Sequence, residues 1–344
     1  MKKVLCILLV LVMALSMVAC GGNNAGENTT AAANNNNGGE AANSGNEGEE
    51  DDKITIGLSI AGLTMPYYVR MYEGFLAAAE EKGWEVIFAD GGSDAEATVK
   101  AVEDLISNDI DALAVSTNYS ESLVDTFATC EEKGIPVFYI GNLQLIPEVK
   151  ELMTFWEGTV SYDAGYLGGV WMAGYLDGIG YKKDLNIVQV SLIHDSLQQR
   201  YEGFAAGLTD NGYTVNLVNT VGDLTRENSL AGCEDMLTAH DDIDIFYGTA
   251  GTSALGAYDA TQNAGRTEVM VVGFDGEDEE LQHIDEGGNY IATICQDPVG
   301  ESEVTVEAIA TVLAGGTVEG GHETPAKVYG QGAGYVTSDE ILGG

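Results

Sequence analysis

Basic side chains are scarce. Lys and Arg number 14 against 55 Asp and Glu, leaving a formal charge of −41. Nucleic-acid binding rests on basic patches that displace counterions, and no such patch exists here. A membrane-surface role through basic clusters is excluded on the same ground. The acidity fits an exported, soluble chain and says little about a ligand. Proline is also rare, at 5 residues, which excludes a Pro-rich disordered protein. Cys130, Cys233 and Cys295 match no zinc or redox spacing and read as small buried hydrophobes. Phosphate-binding loops are missing: no P-loop or Gly-x-Gly-x-x-Gly follows the first strand, and no Gly-x-Ser-x-Gly elbow occurs. His194-Asp195, after a strand, is the best local acid–base pair, while His240, His283 and His322 lie in polar stretches. The run 240–244 alternates acidic and strand residues and reads as a solvated turn rather than a calcium loop. An enzyme is therefore not expected, nor a metal or cofactor.

The amino terminus is different in texture. Lys2 and Lys3 precede an apolar run over 4–18, shorter than the ~20 residues of a bilayer-spanning helix. Basic-then-apolar order is the form of a secretory signal. The run ends Met17-Val18-Ala19-Cys20, which resembles a bacterial lipobox with Met17 where Leu is usual. An ordinary signal peptide with a chance cysteine is the other reading. Residues 21–52 contain Asn34-Asn35-Asn36-Asn37 and Glu49-Glu50-Asp51-Asp52 and no large apolar side chain. Such a segment cannot bury enough surface to offset ordering. The expectation is a signal peptide over 1–19, lipidation of Cys20, a disordered tether over 20–52, and membrane attachment through lipid alone on the extracytoplasmic face.

From residue 53 strands and helices alternate. Strands are expected at 54–60, 84–89, 112–116 and 135–140, with helices at 67–82, 94–107 and 121–133. A looser stretch covers 141–160. The pattern then restarts, with helices at 163–176, 197–211, 226–239 and 253–264 and strands at 185–192, 214–220, 243–247 and 269–275. A short helix runs to 286, a strand covers 290–294, and a last helix spans 301–313. Strict βα alternation implies parallel sheets with helices on both faces. Two blocks of similar length imply an α/β chain of two similar, doubly wound parallel-sheet lobes. The last helix has no place in a filled second sheet and is expected to return to the first lobe.

Val269-Met270-Val271-Val272-Gly273-Phe274-Asp275-Gly276 reads as a strand buried on both faces. It leaves Asp275 at the carboxyl end, where open α/β sheets face their ligand crevice. A buried carboxylate there needs hydrogen-bond donors, and a polyhydroxylated solute supplies them. The competing reading is that Asp275 caps the helix that follows.

Several local motifs coincide in order: Pro66-Tyr67-Tyr68 after the first strand, Arg200-Tyr201-Glu202-Gly203-Phe204, Leu255-Gly256-Ala257, Val271 to Gly276, and Ala292-Thr293-Ile294-Cys295-Gln296-Asp297-Pro298. Together they resemble the periplasmic-binding-protein family of sugar binders, the ribose- and galactose-type group, from Ile54 onward. The resemblance implies two lobes joined by a three-segment hinge (the type I fold), with the solute enclosed between them and passed to an ABC permease. It places the lobes at 53–160 plus 298–325 and at 161–297 plus 326–344. It implies a monomer with no nucleic-acid partner. It also assigns roles: Arg200 donates to sugar oxygens, Asp275 accepts from paired hydroxyls, Gln296 does both, and Tyr67 and Tyr68 stack on the ring. One of the two tyrosines is expected to be partly lobe core.

Departures from the family pattern concentrate in the first lobe. Met65 stands where ribose-type binders have Asn, and Gly141-Asn142 where they have Asp-Arg. Ala250 replaces an Asn, flanked by Thr249, Thr252 and Ser253, and Leu224 replaces an aromatic. The implied ligand is a small polar solute, a monosaccharide or polyol other than ribose, larger, differently substituted or less polar. Asn118, Asn142, Trp156 and Tyr162 are candidate substitutes on loops near the cleft. A sensor role toward a chemoreceptor or histidine kinase, or a nucleoside or furanone ligand, are the alternatives.

Overall fold

The first β-strand, β1 (Thr55–Ile60), puts Ile56, Leu58 and Ile60 on one face and Gly57 and Ser59 on the other, and is buried along nearly its whole length. It lies one strand in from the edge of a six-stranded sheet in a computed structural model that describes residues 53–92, 94–141 and 145–343. Expectations for residues 1–52, including the signal over 1–19, Cys20 and the tether, lie outside the described residues, as does Asn142.

The first block continues with α1 (Pro66–Glu81), β2 (Glu85–Asp90), α2 (Ala95–Ile106), β3 (Ala112–Ser116), α3 (Val124–Lys133), β4 (Val137–Ile140), α4 (Pro147–Lys150) and β5 (Phe155–Gly158). Pro66 opens α1 at a position where its missing N–H costs nothing. Asp94 caps α2 by accepting from the Ala97 amide at 2.8 Å. The second block holds α5 (Ser161–Gly178), β6 (Asp184–Val190), α6 (Asp195–Asp210), β7 (Thr214–Val221), α7 (Arg226–Ala239), β8 (Ile245–Gly248), α8 (Gly251–Ala264), β9 (Met270–Asp275), α9 (Asp278–Glu286) and β10 (Tyr290–Cys295). The chain ends with α10 (Pro298–Leu313), β11 (His322–Glu323), β12 (Lys327–Gly330), β13 (Gly334–Val336) and α11 (Ser338–Leu342).

The sheets run β11-β5-β4-β3-β1-β2 and β13-β12-β10-β9-β8-β6-β7. Each core is the same doubly wound arrangement, so each has a switch point, at β1/β3 and at β6/β8. Two features depart from the sequence reading. The looser stretch contains a strand, β5, whose four residues are too short to show a period. The second sheet is not wholly parallel: β12 pairs antiparallel with β10, and β13 antiparallel with β12. A tight turn joins β12 to β13, which forces that pair antiparallel, while β12 enters the second sheet by the crossing from β11.

The chain passes between the sheets three times, after β5, after β10 and after β11. Helix α10 packs on α1: Val306 and Ile309 are buried in one cluster with Ile56, Met71 and Phe75, and Ser302 Oγ donates to the Met71 carbonyl at 2.9 Å. Glu301, fully buried on α10, ties two crossings together. It accepts from Thr159 Oγ1 at 2.9 Å, and Thr159 also donates to the Thr324 carbonyl at 3.3 Å. In the second lobe α5 lies against α6 at backbone distance. A Cβ on Gly165 would sit 2.1 Å from the Arg200 carbonyl oxygen, and one on Gly203 2.1 Å from that of Tyr162. Only glycine permits this approach, and it seats the helix that bears Arg200. Cys130, Cys233 and Cys295 are buried free thiols.

Candidate functional site

The carboxyl ends of the second sheet bring together residues far apart in sequence. Asp275 ends β9, paired in register with Cys295 of β10, so Gln296 follows directly beside it. Gln296 Nε2 donates to Asp275 Oδ1 at 2.7 Å. Arg200, on the first turns of α6, reaches the same oxygen at 3.4 Å and donates to the Thr249 carbonyl at 2.7 Å. Its guanidinium lies 3.9 Å from the center of the Phe274 ring, a cation–π contact in a dry setting. Asp275 Oδ2 accepts from the Gly251 amide, the first residue of α8, at 3.1 Å. The helix after Asp275 is therefore not the one its carboxylate serves. It faces the amino end of α8, where unsatisfied amides favour an anion.

Asp275 is also the one non-glycine among the described residues with positive φ, at 93°. Such a backbone costs energy and persists where surrounding contacts over-determine it. Those contacts are visible. Arg70 Nη2 of α1 donates to the Asp275 carbonyl at 3.0 Å and Nη1 to the Gly276 carbonyl at 3.4 Å. The same guanidinium lies 3.7 Å from Glu277 Oε1. Arg70 thus binds the first lobe to the strained corner of the second. A second cross-lobe contact joins His194 Nε2 to the Asn118 carbonyl at 3.1 Å, with His194 Nδ1 3.1 Å from Ser196 Oγ.

Carboxylates crowd behind this corner. Burial, then the Asp275 charge, push the Glu277 carboxyl up to about 7, against the pull of Arg70. Glu280, fully buried, is raised to about 8, chiefly by burial, although the Glu277 amide and the Tyr290 hydroxyl both donate to it at 2.7 Å. Across the cleft the tyrosines are buried. Tyr68 is pushed up to about 12 by burial and donates to Asn118 Oδ1 at 3.4 Å. Burial and then Glu301 raise Tyr67 further, and its hydroxyl donates to Glu301 Oε2 at 3.0 Å. Tyr67 is thus the tyrosine committed to the hinge.

Met65, Tyr67, Tyr68 and Asn118 from the first lobe meet Leu197, Arg200, Leu224, Ala250 and Asp275 from the second around a cavity of ≈ 20 Å³. That is about one water, because the polar groups pair with one another. A larger cavity of ≈ 510 Å³ opens beside the crossings, between Arg70, Gln296, Lys327 and Tyr335. The chemistry favours the smaller one, where buried donors and acceptors from both lobes converge at the strand ends. Of the candidate substitutes among the described residues, only Asn118 reaches this cavity. Trp156 packs against Gly321 and under Lys150, whose Nζ is 4.9 Å from the ring center. Tyr162 is exposed and stacks on Tyr166. Arg70 was missed by sequence reading, though it sits three residues after Tyr67 on the same helical face. Glu301 was missed too. Its signal was a carboxylate in the first turn after Asp297-Pro298.

A family model described as the periplasmic binding protein domain matches residues 56–317. The ribose import binding protein of Bacillus subtilis (strain 168) is 27% identical over 292 residues, covering 84% of this chain and 90% of that protein. An ABC transporter solute binding protein from Bacillus halodurans C-125, solved with bound myo-inositol, superposes with a TM-score of 0.72 at 24% identity, over 85% of this chain and 96% of that one. A periplasmic solute binding protein from Actinobacillus succinogenes 130z, solved with bound D-allose, gives 0.71 at 22% identity, over 85% and 100%. Two switch-point sheets, three crossings and a polar corner at their carboxyl ends agree with that match, and the chain belongs to the periplasmic binding protein domain family.

Proposed function

We propose that the protein captures a small sugar or polyol between its lobes and delivers it, chemically unchanged, to an ABC permease. The observation that carries this reading is the meeting of Arg200, Asp275 and Gln296 at the strand ends. A guanidinium fork, a carboxylate and an amide together supply donors and acceptors suited to vicinal hydroxyls. Gln296 Oε1 is buried without a protein partner, and a solute hydroxyl would satisfy it. Relatives named for ribose import and for xylitol binding support the ligand class. In this reading Tyr68 and Asn118 form the opposing wall, and Asn142 is a further solute contact carried over from the family pattern. The lobes comprise 53–160 plus 298–325 and 161–297 plus 326–344, moving about the crossings as a hinge. The protein acts as a monomer.

A thermal-shift panel of sugars, polyols and nucleosides tests the assignment. A ligand that binds only the folded chain raises its melting temperature, by about 2.7 kcal/mol of stability at a hundredfold excess over Kd. A shift with at least one sugar or polyol is expected. A shift with nucleosides alone would replace the ligand class.

The same proposal includes export behind the 1–19 signal and lipidation of Cys20, with 20–52 as tether to the outer face of the membrane. Its support is the Val18-Ala19-Cys20-Gly21 sequence and the family's extracytoplasmic work. Cells grown with a clickable palmitate analogue should label the wild-type protein, and Cys20→Ser should lose the label. Equal labelling of both would remove the anchor.

A further inference from the structure

The cavity between the lobes is unevenly furnished. Its hydroxyl-reading groups stand at one corner, Arg200 and Asp275, with Gln296 behind them bonded to Asp275. Away from that corner four side chains are apolar: Met65 from the first lobe, and Leu197, Leu224 and Ala250 from the second. Both tyrosine hydroxyls of the first-lobe wall are already engaged. The Tyr67 hydroxyl donates to Glu301 and the Tyr68 hydroxyl to Asn118 Oδ1. Asp275 accepts three bonds, from Gln296, Arg200 and the Gly251 amide, and its carboxylate keeps acceptor capacity for a ligand hydroxyl. Among the described residues, a ligand hydroxyl aimed at Met65, Leu197, Leu224 or Ala250 therefore meets carbon. Burying a hydroxyl against carbon carries a desolvation cost that no partner offsets, whereas a methyl or methylene there gains from burial.

From this asymmetry we infer that the ligand is a deoxy sugar, hydroxylated along the edge that meets Arg200, Asp275 and Gln296 and reduced to methyl or methylene along the other. The inference rests on the sugar-binding reading above and narrows it. Leu197 and Arg200 lie three residues apart on α6, so one helical face presents both edges of the site. Met65 immediately precedes Pro66, whose fixed φ sets the start of α1, and this holds the apolar wall in place on the first lobe.

Calorimetric titration of the full-length protein with matched pairs tests it: L-fucose against L-galactose, L-rhamnose against L-mannose, and 2-deoxy-D-ribose against D-ribose. In at least one pair the deoxy member should bind more tightly, by about 10- to 100-fold, the range in which an apolar pocket discriminates against an added hydroxyl. Equal or tighter binding of the hydroxylated member in every pair that binds overturns the inference and leaves sugar capture standing. Silence with all six, together with no thermal shift from any sugar or polyol, overturns both. Met65→Gln, near-isosteric and half-buried, should narrow the preference to about threefold or less while the unliganded melting temperature stays within about 3 °C. An unchanged ratio overturns the role given to this wall. If Met65→Gln does not fold, Leu224→Gln, on a loop, puts the same question.

Discussion

Replacing Asp275 by alanine is expected to weaken solute binding by about 10²- to 10⁴-fold and to lower the unliganded melting temperature by only a few degrees. Two charge-assisted hydrogen bonds to a ligand contribute about 1.5–3 kcal/mol each, and each 1.4 kcal/mol is tenfold in Kd. The fold loses less, because the change has opposing parts. Gln296 Nε2 and the Gly251 amide lose their acceptor, and Arg200 loses a nearby charge. Arg200 keeps the Thr249 carbonyl and the Phe274 face. Removing one carboxylate also relieves Glu277, which the Asp275 charge helps to hold in its protonated form. The backbone complicates alanine, since φ at 93° is strained for any residue with a Cβ. Asp275→Gly removes both the carboxylate and the strain. Measured by calorimetry with the sugar or polyol giving the largest thermal shift, both variants should show that weakening. Retained binding by Asp275→Gly would show that the corner is held for its shape and not for its charge.

The second large effect is on stability against pH. Glu277 and Glu301 are raised to about 7 and Glu280 to about 8, each chiefly by burial. In the unfolded chain these groups titrate near ~4.3. Between those limits the folded state holds more protons, so stability falls as pH rises from about 4.5 to 8 and levels off above. Carboxylates lowered by hydrogen bonding, such as Asp177, Glu268 and Glu340, act in the opposite sense. Their window lies below ~4.5 and does not overlap. A change of about 3 kcal/mol between pH 5.5 and 8.5, or about 10 °C in melting temperature, is expected. The self-repulsion of a chain at −41 has the same sign. Glu301→Gln, which can still bond Tyr67 and Thr159, should flatten the profile. A melting temperature that climbs from pH 5.5 to 8.5 would contradict the protonated state of these side chains.

The two effects meet at one place in the molecule. Tyr67 runs from the cleft to Glu301, and Glu301 holds the crossing at Thr159. Arg70 runs from the same helix to the Asp275 carbonyl. Contacts of α1 thus touch both the hinge and the strained corner. The chain crossings and the strained corner are physically adjacent, reached from positions one helical turn apart on α1.

What was readable in sequence was local or periodic. The β9 run, the helical spacing of Val69, Tyr72, Phe75, Leu76 and Ala79, and the glycines closing helices each encode their own element, because burial of one face imposes a period. Alternation of those elements was enough for two α/β lobes. Asp275 was legible because a residue at the end of a buried strand has only one direction to face. β5 was not, since four residues carry no period, and the antiparallel tail was not, since strand direction depends on the connection. Arg200, Asp275 and Gln296 were separately visible through their motifs. Their convergence on one carboxylate oxygen depends on the register of β9 against β10 and on Gly165 and Gly203 letting α6 approach.

The hinge was the work of tertiary structure. Tyr67 and Glu301 lie 234 positions apart, and Arg70 and Asp275 205. No spacing rule links residues across such distances. They meet only because α10 is driven back onto α1 by burial of Val306 and Ile309. The sequence by itself determined the elements, their order and the residue types at the strand ends. Packing decided which of those residues touch, which polar groups are already satisfied, and which wall of the cleft is carbon, because these follow from long-range burial and not from local pattern.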